Sequence, residues 1–206
     1  MSTTKITKRI KHSDSNPRNS PPVEKKTVSV DTLTRSFDII RIYLTEDGIK
    51  VVSDHLDQIE SINAACEDDI IEVYCMNCPG GSADTIIALL NALACTDAHT
   101  VCIIEGHNAS AGTMPAMVTN EVHIGKYASF MLHSVSGGVV GSMKNTAEAA
   151  KFYERQYATF IEEVYQGFIS PEELSLVHNG RELYLSAEDI EQRLETRQEF
   201  LQAKYE

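Results

Sequence analysis

The chain has 206 residues, of which 42% are hydrophobic and 23% charged, and its formal net charge is −12. This length is enough for one domain with a full core, and no run of about 18 or more apolar residues marks a membrane span. Residues 1–10 are polar and basic, so a secretory signal peptide is not expected. A cytoplasmic protein that does not enter membranes is predicted.

The charge is unevenly distributed along the chain. Residues 1–26 carry seven lysine and arginine residues against two acidic ones, whereas the remainder carries 11 basic and 28 acidic residues. Phosphate contact needs clustered positive charge, so nucleic-acid binding by the acidic part is not expected. Residues 1–30 contain three prolines among polar residues without apolar periodicity. They predict a flexible basic arm, followed by a folded domain over residues 31–206.

The five cysteines are irregularly spaced and odd in number, which fits a reducing compartment better than a disulfide framework. Cys75 and Cys78 have CxxC spacing. A single such pair, without a second pair or a nearby pair of histidines, is a weak metal signal. No metal site is predicted.

Strands and helices alternate in the first half of the folded domain. Strands are expected at 37–44, 70–76 and 100–105, and helices at about 53–66 and 83–94. The strand at 70–76 is nearly continuous in apolar residues, which predicts burial of both its faces. This order predicts a right-handed crossover α/β sheet, in which the loops at the carboxyl ends of the strands face one crevice.

Two loops of small residues follow neighbouring strands at that edge. Pro79-Gly80-Gly81 follows the second strand, and Gly106–Gly112 (GHNASAG) follows the third. Small residues around Ser110 permit a tight turn and close approach of a substrate backbone, which are the surroundings of a nucleophile. The alternative is that Ser110 only caps the helix that follows.

The second half of the domain continues the alternation. Short strands are expected at 121–124 and 129–132, and His133 lies at the exit of the second. A histidine in this position is commonly a polar loop residue, but this one lies 23 residues after Ser110 and also at a strand end. The glycine-rich loop 134–141 has no lysine in the register of a phosphate-binding loop.

Three helices are expected after this loop. A long helix over about 143–168 carries an aromatic stripe and is expected to project and pack against another subunit. Ser170-Pro171 opens a short helix that ends at Asn179-Gly180. Ser186 opens a last, highly charged helix.

Four motifs occur in the order and approximate spacing of the proteolytic subunit of the caseinolytic protease, ClpP. They are Asn77–Gly81 (NCPGG), Asn108–Gly112 (NASAG), Met131–His133 (MLH) and Tyr184–Ala187 (YLSA). Residues 37–190 thus resemble the ClpP family. The resemblance implies an α/β chain of the ClpP/crotonase-like fold, with repeated β-β-α units and a projecting long helix.

The resemblance also implies a serine endopeptidase that cleaves unfolded or extended polypeptides inside a homo-oligomeric ring, without a metal or cofactor. Ser110 would attack the scissile carbonyl, and His133 would take its proton. Backbone N–H groups of Gly81 and Ala111 would hold the oxyanion. The Gly137-Gly138 stretch would pair with an extended substrate as an added strand.

The sequence departs from the family at the third catalytic position, where the family has an aspartate. Counting back from Ser186 places His178 there, whereas the chemistry favours the carboxylate of Glu182. Asn179 could orient His133 by a neutral hydrogen bond. A missing orienter costs about 10⁴ in rate while nucleophile and base remain in place. A catalytically weak or inactive ClpP-fold ring with a structural or regulatory role is therefore the main alternative.

The termini depart from the family as well. The basic arm replaces an apolar N-terminal segment, and a charged helix replaces a strand after Ser186-Ala187, which puts docking of a Clp-type ATPase unfoldase in question. A crotonase-type enzyme acting on coenzyme A esters is a further alternative, since it shares the oxyanion hole but needs acid and base carboxylates. Processing of phage capsid proteins would suit so divergent a member, although no residue indicates it.

Overall fold

A computed structural model describes residues 37–138 and 140–205, so the predicted arm at 1–30 lies outside the described residues. The strands are β1 (Ile39–Leu44), β2 (Ile70–Met76), β3 (His99–Glu105), β4 (His107–Ala109), β5 (Glu121–Ile124), β6 (Ser129–Leu132) and β7 (Leu183–Ser186). The α-helices are α1 (Leu56–Ala64), α2 (Ala83–Cys95), α3 (Met143–Val164), α4 (Pro171–His178) and α5 (Ala187–Tyr205). Two 3₁₀ helices, Val52–His55 and Ser110–Met117, precede α1 and follow β4.

The strands form two sheets. Four parallel strands make the main sheet in the order β1-β2-β3-β5, and the second sheet has the order β4-β6-β7. In the second sheet β4 is parallel to β6, and β7 is antiparallel to it. Because β2 and β3 are parallel neighbours, the loops that follow them meet at one edge of the main sheet. The mixed α/β architecture predicted from the sequence is confirmed.

One core connects the two sheets. Buried side chains of α2, including Ile86 and Leu89, pack with Val73 of β2 and Cys102 of β3, and Phe130 of β6 belongs to the same cluster. Apolar residues at helical spacing in α2 explain why this helix lies against the main sheet. None of the described helices is long and apolar enough to cross a bilayer.

The prediction that both faces of β2 are buried is wrong. Only Ile71, Val73 and Cys75 are buried, and the residues that alternate with them are partly exposed. On the exposed face, the Tyr74 ring stacks on Tyr43 of β1 at 5.0 Å. A neighbouring tyrosine, rather than a covering helix, shields this face of the strand.

The long helix is shorter than predicted, since α3 ends at Val164 rather than at 168. Gly167 has a φ of +77° in the turn that follows, and the Phe168 N–H donates to the Tyr165 carbonyl. Most described side chains of α3 are exposed, and Ile161 near its C-terminal end is fully buried. The helix therefore projects from the domain along most of its length, as predicted.

The start of α4 confirms the predicted cap. Ser170 Oγ accepts from the Glu173 N–H at 3.1 Å, and the Ser170 N–H donates to the Glu173 carboxylate at 2.9 Å. The same carboxylate receives two bonds from the Arg193 guanidinium of α5, at 2.7 and 2.8 Å. These bonds hold the pKa of Glu173 below its usual value, chiefly through Arg193.

This lowered pKa predicts an acid-sensitive contribution to stability. A carboxyl group whose pKa is lower in the folded than in the unfolded protein stabilises the fold at pH values above its unfolded pKa of about 4.3. This contribution is lost as the pH falls through the folded pKa. Glu173→Gln should therefore cost about 1–2 kcal/mol of unfolding free energy at pH 7. The cost should shrink below about pH 4.

Urea unfolding of wild type and Glu173→Gln at pH 7 and at a pH below about 4 measures this effect. Glu172→Gln, an exposed change in the same helical turn, is the matched control and should leave stability nearly unchanged. A Glu173→Gln cost that is the same at both pH values would contradict the assignment.

Candidate active site

Ser110 lies at the junction between β4 and the 3₁₀ helix, and its φ is +53°. This left-handed conformation costs a residue with a Cβ about 1–2 kcal/mol. The N-cap position of the helix is Ala109, and no side chain caps it. The alternative in which Ser110 serves as a helix cap is therefore wrong, and its strained turn needs another reason.

Gly80 lies directly against this turn. A Cβ atom on Gly80 would come within 2.8 Å of Ser110 Cβ and 2.9 Å of the Ala111 nitrogen. Gly80 also has a φ of +89°, so both space and backbone conformation require glycine here. Gly80 is not among the residues that the motifs assigned a role, although the Pro-Gly-Gly sequence is the signal that could have identified it.

A buried asparagine joins the two loops. Asn108 Oδ1 accepts from the Cys78 N–H at 2.9 Å, and Asn108 Nδ2 donates to the Glu105 carbonyl at 3.1 Å. The Ala109 N–H in turn donates to the Cys78 carbonyl at 2.8 Å. These bonds fix the Pro-Gly-Gly loop against the Ser110 turn.

The two predicted oxyanion donors flank this junction. Gly81 has a φ of +149°, and a Cβ on it would lie 2.1 Å from the Ile49 carbonyl oxygen. Its neighbours bond to Ile49, but no described residue accepts from the Gly81 N–H itself. The Ala111 N–H lies in the first turn of the 3₁₀ helix, where N–H groups lack an intrahelical acceptor. Both N–H groups are therefore available to donate to an oxygen atom of a substrate.

His133 follows β6 directly, as predicted. β4 and β6 pair in parallel with Ala109 opposite Met131, so Ser110 and His133 leave adjacent strands in the same direction. The side chain of His133 is half-buried. Within residues 37–138 and 140–205, neither Ser110 nor any other residue hydrogen-bonds to its ring. Such bonds are often long without substrate and shorten in the substrate complex.

The three candidates for orienting His133 differ in their surroundings. The Asn179 amide donates to the Ser175 carbonyl at 2.8 Å at the end of α4. Glu182 accepts from the Tyr184 hydroxyl at 2.6 Å. His178, by contrast, is exposed and lines a cleft.

This cleft has a volume of about 890 Å³. Its lining includes Gly81, Ser134, Gly137, Gly138, His178 and the α3 tyrosines Tyr153 and Tyr157. The structure thus brings one predicted oxyanion donor and the predicted substrate-pairing glycines into one cleft. Among the described residues, Ser110, Ala111 and His133 are not part of the lining, but Ser110 and Ala111 lie against Gly80, the chain neighbour of the lining residue Gly81.

Cys78 has a structural role at the junction of the two loops and no chemical one. It is fully buried, and this burial raises the pKa of its thiol to about 11. A Cβ on Gly112 would lie 2.9 Å from its Sγ atom. The thiol therefore stays protonated at neutral pH and fills the space between the two loops.

Comparison of the sequence with known families finds a match to one of them. The model of the Clp protease family matches residues 24–193, which include both loops, β6 and the β7 region. No curated protein matches the sequence. The match covers most of the chain, and the fold of the chain has the expected parallel sheet and projecting helix. The chain belongs to the Clp protease family, and its domain is that of a ClpP-like peptidase.

Proposed function

We propose that the protein is a serine endopeptidase that cleaves unfolded or extended polypeptides inside a homo-oligomeric ring. The observation that carries this proposal is the left-handed Ser110, held at a strand end with Gly80 packed against it. A strained serine with a glycine-lined approach is what an exposed nucleophile requires.

In the proposed reaction Ser110 Oγ adds to the scissile carbonyl while His133 accepts its proton. The N–H groups of Gly81 and Ala111 stabilise the resulting oxyanion, and the N-terminus of the 3₁₀ helix adds a favourable dipole. His133 then protonates the leaving amine. Water hydrolyses the acyl-enzyme by the same steps in reverse order.

The cleft suits an extended chain. Gly137 and Gly138 are exposed, and apart from its chain neighbours no described residue has an atom within 4 Å of a Cβ built on either. Their backbone can therefore pair with a substrate strand without side-chain obstruction. The exposed length of α3 supports the ring, since a projecting amphipathic helix needs a partner surface.

A catalytically weak or inactive ring is the second candidate. It is favoured by the lack of a hydrogen bond to the His133 ring among the described residues. Without an orienting partner the imidazole has no fixed tautomer, and the rate falls by about 10⁴.

Labelling with a fluorophosphonate distinguishes these candidates. The full-length protein should be modified at Ser110, as located by peptide mass spectrometry, and His133→Ala should slow the labelling strongly. No labelling at any pH between about 6 and 9 would contradict the peptidase proposal. Hydrolysis of coenzyme A esters that persists in Ser110→Ala would instead favour the crotonase-type alternative.

The surroundings of the three orienter candidates predict different mutational effects. His178→Ala should lower kcat/KM by about tenfold or more, because His178 stands in the register of the family's aspartate and lines the proposed substrate cleft. Glu182→Gln and Asn179→Ala are the matched controls and should act only on the local contacts of those residues. Peptide hydrolysis by all three variants measures this difference, and a loss in Glu182→Gln alone would reassign the role.

A further inference from the structure

Two buried hydroxyl groups connect the Ser110 turn to the end of α3. Thr113 Oγ1 lies 2.8 Å from the Ser110 carbonyl oxygen, and the Tyr165 hydroxyl lies 2.6 Å from Thr113 Oγ1. Thr113 is fully buried, and Tyr165 is 2% exposed. These hydroxyls therefore bond to each other and to Ser110 rather than to bulk water.

The number of protons fixes the direction of these bonds. A threonine hydroxyl has one proton to donate, and a carbonyl oxygen can only accept. Thr113 therefore donates to Ser110, and Tyr165 donates to Thr113. Burial raises the pKa of Tyr165, so its hydroxyl keeps its proton at neutral pH. We name this arrangement, from Tyr165 through Thr113 to the Ser110 carbonyl, the hydroxyl chain.

The hydroxyl chain acts on the peptide group that contains a predicted oxyanion donor. The Ser110 carbonyl and the Ala111 N–H belong to the same planar trans peptide, in which they point in opposite directions. A bond that holds the carbonyl thereby fixes the direction of the Ala111 N–H. Accepting this bond also polarises the peptide and makes its N–H a stronger donor.

Aromatic packing holds the outer end of the hydroxyl chain. The Tyr165 ring centroid lies 6.2 Å from that of Phe168, which lies 6.4 Å from the Phe130 ring of β6. All three rings are buried. Phe130 belongs to β6, and β6 leads directly into His133. The aromatic cluster therefore connects Tyr165 to the strand that carries the proposed base.

We propose that Thr113 and Tyr165 are positioning residues that orient the Ala111 N–H toward the oxyanion. The proposal rests on the proposed function of Ser110 and adds a second layer behind it. The oxyanion exists only along the reaction path, so loss of the hydroxyl chain should lower kcat and leave KM nearly unchanged.

Two variants remove the chain at different points. Tyr165→Phe removes only the outer hydroxyl, and Thr113→Val removes the bond to Ser110. We expect Thr113→Val to lower kcat on a fluorogenic peptide by about 10- to 100-fold, because the donor is misaligned rather than removed. Tyr165→Phe should have a smaller effect of the same kind. Thr113→Ser keeps a hydroxyl and should restore kcat to near the wild-type value.

Thr100→Val is the matched control for loss of a buried hydroxyl. Thr100 is 1% exposed at the start of β3, and its hydroxyl donates to Asn120 Oδ1 at 2.8 Å. This variant should lose thermal stability without losing kcat per folded protein. A kcat in Thr113→Val and Tyr165→Phe equal to that of wild type, or lowered no more than in Thr100→Val, would overturn the role of the hydroxyl chain.

The rate of fluorophosphonate labelling separates this inference from the function beneath it. A wild-type protein that is not labelled would contradict both the proposed function and the positioning role of the hydroxyl chain. A wild type that is labelled, with variants labelled at the same rate, would contradict only the positioning role. Tyr165→Phe preserves the volume of the ring, so it keeps the test decisive if Thr113→Val does not fold.

Discussion

Replacing Ser110 with alanine should lower kcat on peptide substrates by about 10⁵- to 10⁶-fold, the loss seen when the nucleophile of a serine peptidase is removed. The remaining rate would come from the oxyanion donors and from substrate binding. KM should change little, because the cleft is lined by other residues. Steady-state hydrolysis of a fluorogenic peptide, with fluorophosphonate labelling alongside it, measures the effect.

Ser110→Gly provides the matched control for backbone strain. It also removes the nucleophile, but glycine adopts the φ of +53° without the cost of a Cβ. Ser110→Gly should therefore be more stable than Ser110→Ala by about 1 kcal/mol while being equally inactive. Equal stability of the two variants would contradict the view that the fold stores strain at this turn to position a nucleophile.

Gly80→Ala is expected to have the second largest effect. Its new methyl group would meet the Ala109 carbonyl oxygen and Ser110 Cβ at 2.8 Å, and these are atoms of a turn that is itself held by the other loop. Ser110 and the Ala111 N–H must then move together. We expect kcat to fall by at least about 10²- to 10³-fold, as for loss of one oxyanion donor.

Gly141→Ala is the matched control for this change. Gly141 lies in the loop before α3, and the nearest atom to a Cβ there would be Thr146 Oγ1 at 3.5 Å, an ordinary contact. Circular dichroism and thermal unfolding of both variants separate loss of the site from loss of the fold. Wild-type kcat in a folded Gly80→Ala would contradict the requirement for glycine against the Ser110 turn.

The match to the Clp protease family establishes the ClpP-like peptidase domain. The left-handed turn at Ser110 supports its role as the nucleophile, but no hydrogen bond among the described residues joins Ser110 to His133. The resemblance to the family predicts His178 in the register of the family's aspartate at the third catalytic position. The orienter variants and the labelling experiment therefore test the part of the mechanism in which this chain differs from its family.

Local patterns in the sequence were sufficient for most elements of the fold. The strands at 70–76, 121–124 and 129–132 have the predicted bounds, because runs of β-branched and aromatic residues between turn residues depend little on distant contacts. The cap at Ser170 was likewise predictable, since both of its bonds join residues three positions apart. The loops at the strand ends were identified by their glycines.

Two short strands, β4 and β7, were not predicted from such patterns. β4 has only three residues, too few for a period to show, and each of the two strands forms by pairing with β6. The pairing of β4 with β6 is also what directs Ser110 and His133 along adjacent strands. Non-local hydrogen bonds, rather than propensity, decide these elements.

The sequence by itself thus determined the α/β class, the order of the elements and Ser110 as the candidate nucleophile, because these depend on residue types and on spacing along the chain. Only the tertiary structure decided the left-handed conformation of Ser110, the contact with Gly80 and the hydroxyl chain to Tyr165. Tyr165 lies 52 positions from Thr113, and their bond depends on how α3 packs against the 3₁₀ helix. Contacts between distant segments arise from packing, which no local pattern encodes.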